Sequence, residues 1–268
     1  MKRVKVAALS FLVVVVLASA LADLIAPSSY EHQFREMPNA RCSSQHLLGT
    51  DALGRDRFSR LLFGTRVSLL LAPAAALVSA GLAGLIGGIA GYAGGGLQRI
   101  VMAGTDLCLS LPWMFLLLTI RAMLPLNTSP AISVAITFAL LGCLGWAGAA
   151  RVVCADAQKL KSAEFILQAR ATGCGGFRLF LQHFLPNLGP VLLAQFWISI
   201  PTFILAEANL GILGLGVSEP LPSWGGMLQE LQSLTLVSAR AWVYVPIILL
   251  VATVSCFHVM MQREEPWA

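Results

Sequence analysis

Two acidic residues, Asp106 and Glu207, sit inside long apolar blocks of a 268-residue chain. An ionised side chain at bilayer depth costs on the order of 2.5–3.5 kcal/mol on insertion scales, so such a group must face protein or water. For Asp106 two readings stand side by side. It lines a pathway or fixes helix packing, or it lies near the cytoplasmic interface, partly hydrated and hydrogen-bonded to a neighbouring helix. Glu207 poses the same question nearer the outer face, and a hydrated position at the helix end is the favoured reading there. Other chemistry finds no support. No G-x-x-x-x-G-K-S/T phosphate loop occurs, so the chain does not hydrolyse a nucleotide by that mechanism, and neither H-E-x-x-H nor G-x-S-x-G is present. The histidines His32, His46, His183 and His258 are scattered and receive no role. Cys42, Cys108, Cys143, Cys154, Cys174 and Cys256 form no C-x-x-C pair and have no histidine at metal spacing, which argues against a disulfide framework or zinc site. No catalytic residue, metal site or cofactor is therefore assigned to this chain.

A second kind of site is mechanical. Residues 162–190, SAEFILQARATGCGGFRLFLQHFLPNLGP, form the longest charged, helix-patterned interruption between apolar blocks. Lys159, Leu160, Phe165, Leu167, Ala169 and Arg170 fall at helical spacing, and Gly173 supplies a stop. Phe177, Phe180, Leu181 and Phe184 make one apolar stripe, predicting a second short helix that ends at Pro186. Two amphipathic helices lying on the bilayer would explain the pattern. A helical hairpin turned tightly at Gly173, Gly175 and Gly176 explains it better, because a compact knob fits a groove in a partner.

The elements that must position these residues follow from composition. Hydrophobic residues make up 57% and charged residues 12% of the chain, and the mean hydropathy is +0.78. That is too little polar surface for a water-soluble globule of this length. The apolar blocks are long and lack the ten-residue alternation of an outer-membrane barrel, so the fold class is an all-α integral membrane protein. Six transmembrane helices are expected: one within residues 1–26, then 67–93, 100–123 with a break near Leu111-Pro112, 131–153, 190–213 and 241–261. The first begins with Lys2, Arg3 and Lys5 and contains Ala18-Ser19-Ala20, which resembles a signal-peptidase site. The apolar run continues beyond it, favouring an uncleaved span. Residues 27–48 read as an exposed loop. In 49–71, Asp51 is placed to cap a short helix and Gly54 to end or turn one, giving a solvated interfacial helix before the second span. The net charge of +5 is scattered and supports no nucleic-acid role.

Six spans put both termini on one side. With the N-terminus cytoplasmic, ten basic residues lie inside and eight outside, a weak vote for that orientation that places 162–190 in the cytoplasm. Four arginines just before the second span, Arg55, Arg57, Arg60 and Arg66, oppose it.

SAEFILQARATGCGGFRLFLQHFLPN resembles the coupling loop of bacterial ABC-importer permeases. The family pattern has Glu-Ala-Ala, a following Gly and a downstream Leu-Pro. Here Leu167-Gln168-Ala169, Gly173 and Leu185-Pro186 stand at those places, so the Glu and the first Ala are absent. Three further stretches are similar to the dipeptide, oligopeptide and nickel branch, and to its shorter, second permease subunit: GTDALGRDRFSRLLFGTRVSL at 49–69, TDLCLSLPWMFLLL at 105–118, and ILAEANLGILGLGVSEPLPSWGGML at 204–228. The last is the most specific, since its Leu-Gly-Leu-Gly and Pro-x-Pro-Ser-Trp-Gly spacing has no generic membrane explanation.

The resemblance implies a type I ABC-importer permease architecture with a cytoplasmic coupling helix, in a multi-pass protein of the bacterial inner membrane. It implies a second permease subunit as heterodimer partner, two ATPase subunits that carry ATP and Mg, an extracytoplasmic substrate-binding protein and surrounding lipid. Glu164, Phe165, Leu167, Gln168, Ala169, Arg170, Gly173, Leu185 and Pro186 would then contact the ATPase, with Glu164 and Arg170 standing in for the missing Glu. Gly49, Thr50, Asp51, Gly54, Arg55, Asp56, Pro222, Ser223, Trp224 and Gly225 carry the extracytoplasmic family motifs. The organisation expected is a first span with an extracytoplasmic segment at 1–66, a permease core at 67–261 with its coupling loop at 154–189, and a short cytoplasmic tail at 262–268. The rival reading is an ion-coupled secondary transporter or channel working without an ATPase, with Asp106 as its ion site.

Overall fold

The computed structural model describes residues 2–123, 129–232 and 241–262. Among them the regular structure is helical, with two isolated β-bridges, Gln33 with Arg55 and Thr50 with Asp56. The longer helices are α1 (Lys2–Ala20), α3 (Arg57–Ala93), α4 (Gly95–Ser110), α5 (Trp113–Met123), α6 (Pro130–Leu144), α7 (Trp146–Lys161), α10 (Leu185–Ile212) and α12 (Val245–Met261). Short helices α2 (Ala22–Ile25), α8 (Glu164–Ala171), α9 (Gly176–Leu179) and α11 (Trp224–Leu228) lie between them. Five segments are long and apolar enough to cross a membrane: Lys2–Ala20, Arg57–Ala93, Pro130–Lys161, Phe180–Ile212 and Trp242–Met261. The α4–α5 pair makes a sixth if its bent halves form one span.

That bend is 74° and falls where Leu111-Pro112 was expected to break the third span. Proline lacks an N–H and pushes the residue before it out of the α region. Leu111 duly adopts φ −82°, ψ 130°. The second span starts ten residues earlier than expected, at Arg57, and the boundary drawn at residue 66 therefore falls inside α3. Its start is set by Asp56, whose Oδ2 accepts the Ser59 N–H at 2.7 Å and so satisfies a free donor of the first turn. Residues 49–56 form a turn-rich loop, not the short helix expected there. Of the tail at 262–268, all but Gln262 lies outside the described residues.

The chain divides into two compact units. One comprises Met1–Ala72, Ile120–Phe138 and Pro201–Ala268. In it α1 packs along α12, and the Lys5 ammonium donates to the Gln262 carbonyl at 2.5 Å. Arg66 closes the C-terminal end of α1, donating to the Ser19 and Ala20 carbonyls, each at 2.9 Å. A cation there meets the negative end of the helix and its unpaired carbonyls.

The other unit comprises Pro73–Thr119 and Ala139–Ile200. Its core joins Ala83 of α3, Ala149, Ala150, Val153 and Ala157 of α7, Ile166 of α8, Leu179, Phe184 and Leu188. Gly87 and Gly91 bring α3 onto α7: a Cβ on Gly91 would lie 2.5 Å from that of Ala157. Such small-residue contacts let membrane helices approach closely.

Candidate functional site

The segment 162–186 is a knob of short helices on an apolar base. The single helix expected from Lys159 to Arg170 is in fact two. Ser162 ends α7, its hydroxyl donating to the Lys159 carbonyl at 3.0 Å, and α8 restarts at Glu164. Ser competes for backbone hydrogen bonds in this way, which apolar periodicity does not register. At the far end of α8, Gly173 takes φ +81°, and the Cys174 N–H reaches back to the Ala169 carbonyl at 3.1 Å. This is a Schellman stop, and its glycine has no Cβ to strain the left-handed turn.

Ile166 anchors α8, fully buried in the core. Around it Glu164, Phe165, Leu167 and Gln168 are exposed, and Ala169 is half-buried against that core. Arg170 lies in the last turn of α8. The second short helix does not end at Pro186. A π-turn over Phe180–Phe184 joins α9 to α10, with the Leu185 N–H bonding the Phe180 carbonyl five residues back. The wider turn relieves the clash a proline makes with the carbonyl four residues earlier, so the helix continues through Pro186. It also shifts the inward face. Leu179 and Phe184, five residues apart, are buried, whereas Leu181 of the expected stripe is 44% exposed. Leu185 and Pro186 are exposed as well.

Two side chains that periodicity did not single out tie this knob to α3. Tyr92 packs edge-on to Phe180 and Phe184, with ring centroids 5.1 and 4.8 Å away, and its hydroxyl donates to the Gly176 carbonyl at 3.3 Å. Lys161 donates to the Ala93 carbonyl at 3.1 Å, at the C-terminal end of α3. Their signal was position: each adjoins a helix end.

The second candidate region joins residues 46–60 to 219–230 by buried charge. Asp51 accepts the Leu53 and Arg55 N–H groups at 2.9 and 2.8 Å, and Arg55 Nε at 2.6 Å. Arg55 also reaches Glu219, as does Arg60, at 2.9 Å. Arg57 donates to Glu230 at 2.6 Å. Asp56, fully buried, meets His46 Nδ1 at 3.0 Å and accepts the Ser59 hydroxyl at 2.8 Å. Burial works against the Arg55 charge, but its bonds to Glu219 and Asp51 outweigh it and hold the guanidinium above its ordinary value. Burial pushes the Glu230 carboxyl up, with Arg57 opposing. Asp51, Arg55, Arg60, Glu219, Gln229 and Glu230 help line a cleft of about 240 Å³. The stretch expected to be a solvated interfacial helix is thus mostly interior: Asp51, Arg55, Arg57 and Arg60 are all buried.

The remaining motif residues hold this region's backbone. Gly49 and Gly54 take φ +68° and +77°, and a Cβ on Gly54 would sit 2.3 Å from the Phe34 carbonyl oxygen. Thr50 accepts the Ala40 N–H at 2.8 Å and donates to the Met37 carbonyl. Pro222 is buried. Ser223 caps α11 by accepting the Gly226 N–H at 3.2 Å. Trp224, fully buried, donates its ring N–H to Thr65 at 2.9 Å and its backbone N–H to Ser68 at 3.3 Å. Gly225 touches Gly211, where an added Cβ would come within 2.2 Å of the Gly225 carbonyl carbon.

The two intramembrane acids part company. Asp106 on α4 is exposed and paired with Arg151 on α7, the neighbouring-helix partner allowed by one of its readings. Glu207 is fully buried and takes the Ser68 hydroxyl at 3.1 Å, so the hydrated helix-end position favoured for it is corrected. The back-folding of α11 covers it, a long-range event that local sequence does not report.

The chain is similar in sequence to known transport proteins. Residues 83–267 match the family described as "Binding-protein-dependent transport system inner membrane component". The dipeptide transport system permease protein DppC of Bacillus subtilis (strain 168) is 29% identical over 259 residues, covering 96% of this chain and 79% of that protein. The oligopeptide transport system permease protein OppC of Haemophilus influenzae is 30% identical over 258 residues, 96% of this chain and 81% of its own. The glutathione transport system permease protein GsiD of Pectobacterium atrosepticum is 30% identical over 260 residues, 97% and 84% of the two chains.

Proposed function

The chain belongs to the family of inner membrane components of binding-protein-dependent transport systems, and on that premise we propose that its cargo is peptide. It is a transmembrane permease subunit of an ATP-driven importer, which displaces the ion-coupled alternative. The observation that carries the peptide reading is the likeness, along nearly the full chain, to permeases of dipeptide, oligopeptide and glutathione systems. Nickel is a weaker option, resting only on membership of the wider branch.

The subunit pairs with a second permease, two ATPase subunits that bind ATP and Mg, and an extracytoplasmic binding protein. Both termini face the cytoplasm, with 162–186 docked on an ATPase. Glu164, Phe165, Leu167, Gln168, Ala169 and Arg170 supply the contact, Gly173 fixes the end of the coupling helix, and Leu185-Pro186 lead into α10. The exposure of Phe165 and Leu167 above the buried Ile166 supports this role, since a docking helix must be rigid below and free above. ATPase closure then moves α8 as a lever, and the Tyr92 and Lys161 ties deliver the motion to α3. A conformational switch needs a difference in binding free energy between its states, and ATP binding at the partner supplies it. Gly49, Thr50, Asp51, Gly54, Arg55, Asp56, Pro222, Ser223, Trp224 and Gly225 shape the extracytoplasmic mouth. Asp106 belongs to packing, through Arg151.

Co-expression with candidate ATPase and binding-protein subunits, followed by peptide uptake in proteoliposomes, tests the proposal. ATP-dependent dipeptide uptake that Gly173→Asp abolishes is expected. Failure of any ATPase to co-purify, together with unchanged uptake in Gly173→Asp, overturns the coupling assignment, and uptake of metal but not peptide overturns the cargo.

A further inference from the structure

Glu207 lies inside the apolar segment Phe180–Ile212, fully buried, and no charged group among the described residues faces it. The groups that meet its carboxyl among the described residues are neutral. From α3 comes the Ser68 hydroxyl, donating to Oε2 at 3.1 Å. From α11 and its cap come Ser223 and the backbone of Gly225. Oε1 has no hydrogen-bond partner among the described residues. The nearby arginines of α3 are committed elsewhere: Arg57 to Glu230, Arg60 to Glu219, and Arg66 to Asp23 and the end of α1.

Isolating a carboxylate from water with no cation beside it is strongly unfavourable, and a buried acid avoids that cost by keeping its proton. A neutral carboxylic acid still accepts hydrogen bonds and gains one O–H to donate. We propose that Glu207 serves as an uncharged acid, a positioning residue that pins α11 against α3 and α10 in the working importer. The Trp224 N–H donates to Ser68 at 3.3 Å, and Ser68 donates to Glu207, so two bonds run from α11 through α3 to α10. Close packing leaves this relay little play, for a Cβ on Gly225 would lie 3.0 Å from Glu207 Oε1. The pin governs more than α11. Gly226, Gln229 and Glu230, on or just after that helix, form one wall of the charged cleft.

The test is hydrogen–deuterium exchange on amides 223–228 in the transporter, purified with its partner subunits in nanodiscs, alongside uptake. Glu207→Gln, which keeps a neutral group of the same shape, is expected to hold protection and uptake within about threefold of wild type, whereas Glu207→Ala loses about tenfold in both, the scale of one buried hydrogen bond. Ser68→Ala cuts the same relay from α3 and is expected to lose protection by about tenfold. It decides the matter if Glu207→Ala fails to assemble. Loss in Glu207→Gln as deep as in Ser68→Ala would mean that the charge is needed, and would overturn the neutral-acid assignment. Wild-type protection in Ser68→Ala or Glu207→Ala would overturn the pin. Exchange is read without substrate, so the result is independent of the cargo.

Discussion

Residues 162–186 and the cluster joining 46–60 to 219–230 are built on opposite physics. The first buries hydrocarbon and exposes its motif residues: Ile166, Leu179 and Phe184 lie inside, while Glu164, Leu167 and Gln168 lie outside. The second buries its motif residues and their charges, with Asp51, Arg55, Asp56 and Arg60 inside and Glu219 as the exposed member. A surface that must meet a partner needs free side chains on a stiff base. A loop that must hold its own shape without a large apolar core needs ion pairs and capped turns. It follows that substitution at motif residues should separate function from stability in the knob and should not separate them in the cluster.

The largest test of that contrast is Asp51→Ala. It strips Arg55 of a buried partner and should destabilise by about 3–5 kcal/mol, as breaking a buried ion pair does. Thermal unfolding of the detergent-solubilised chain would register it, and transport should fall with it. Next is Ile166→Ala, a buried large-to-small change expected to cost about 2–4 kcal/mol and to loosen α8 from its base, read by exchange of the 164–171 amides. If its unfolding temperature matches wild type, the knob has no anchored base and the comparison collapses. Glu219→Gln removes an acid 58% exposed in its side chain that bridges Arg55 and Arg60. Solvent screening limits that loss to well under about 1 kcal/mol, so only a small shift in unfolding is expected. The smallest effect on stability is Leu167→Ala, within about 0.5 kcal/mol for a surface position. The same change should still lower ATPase co-purification severalfold, and a large shift in unfolding would show that this surface is structural after all.

Much of this was legible in the chain itself. Runs of apolar residues mark the spans, Leu111-Pro112 marks the bend, and Gly173 marks the end of α8, because each of these signals is local. What local pattern could not carry was partnership at a distance. Arg55 and Arg60 meet Glu219 some 160 residues downstream, so arginines that read as part of a solvated interfacial helix are in fact buried and paired. Glu207 read as a hydrated helix end because nothing nearby announces that Trp224 and Gly225 will cover it. The stripe through Leu181 failed for a different reason: a period of 3.6 was applied where the helix briefly widens.

That widening makes chain length negotiable at one point. The turn at Phe180–Phe184 holds a residue more than an α-turn would. Deleting Leu181 or Gln182, both exposed, lets the turn relax to ordinary α geometry, and it leaves Leu179 and Phe184 four apart and still on one face. The same deletion inside α7 would rotate everything beyond it by about 100°. Single-residue insertions and deletions among relatives of this permease are thus expected to collect at 180–184, where the fold can absorb a missing residue without re-aiming the spans.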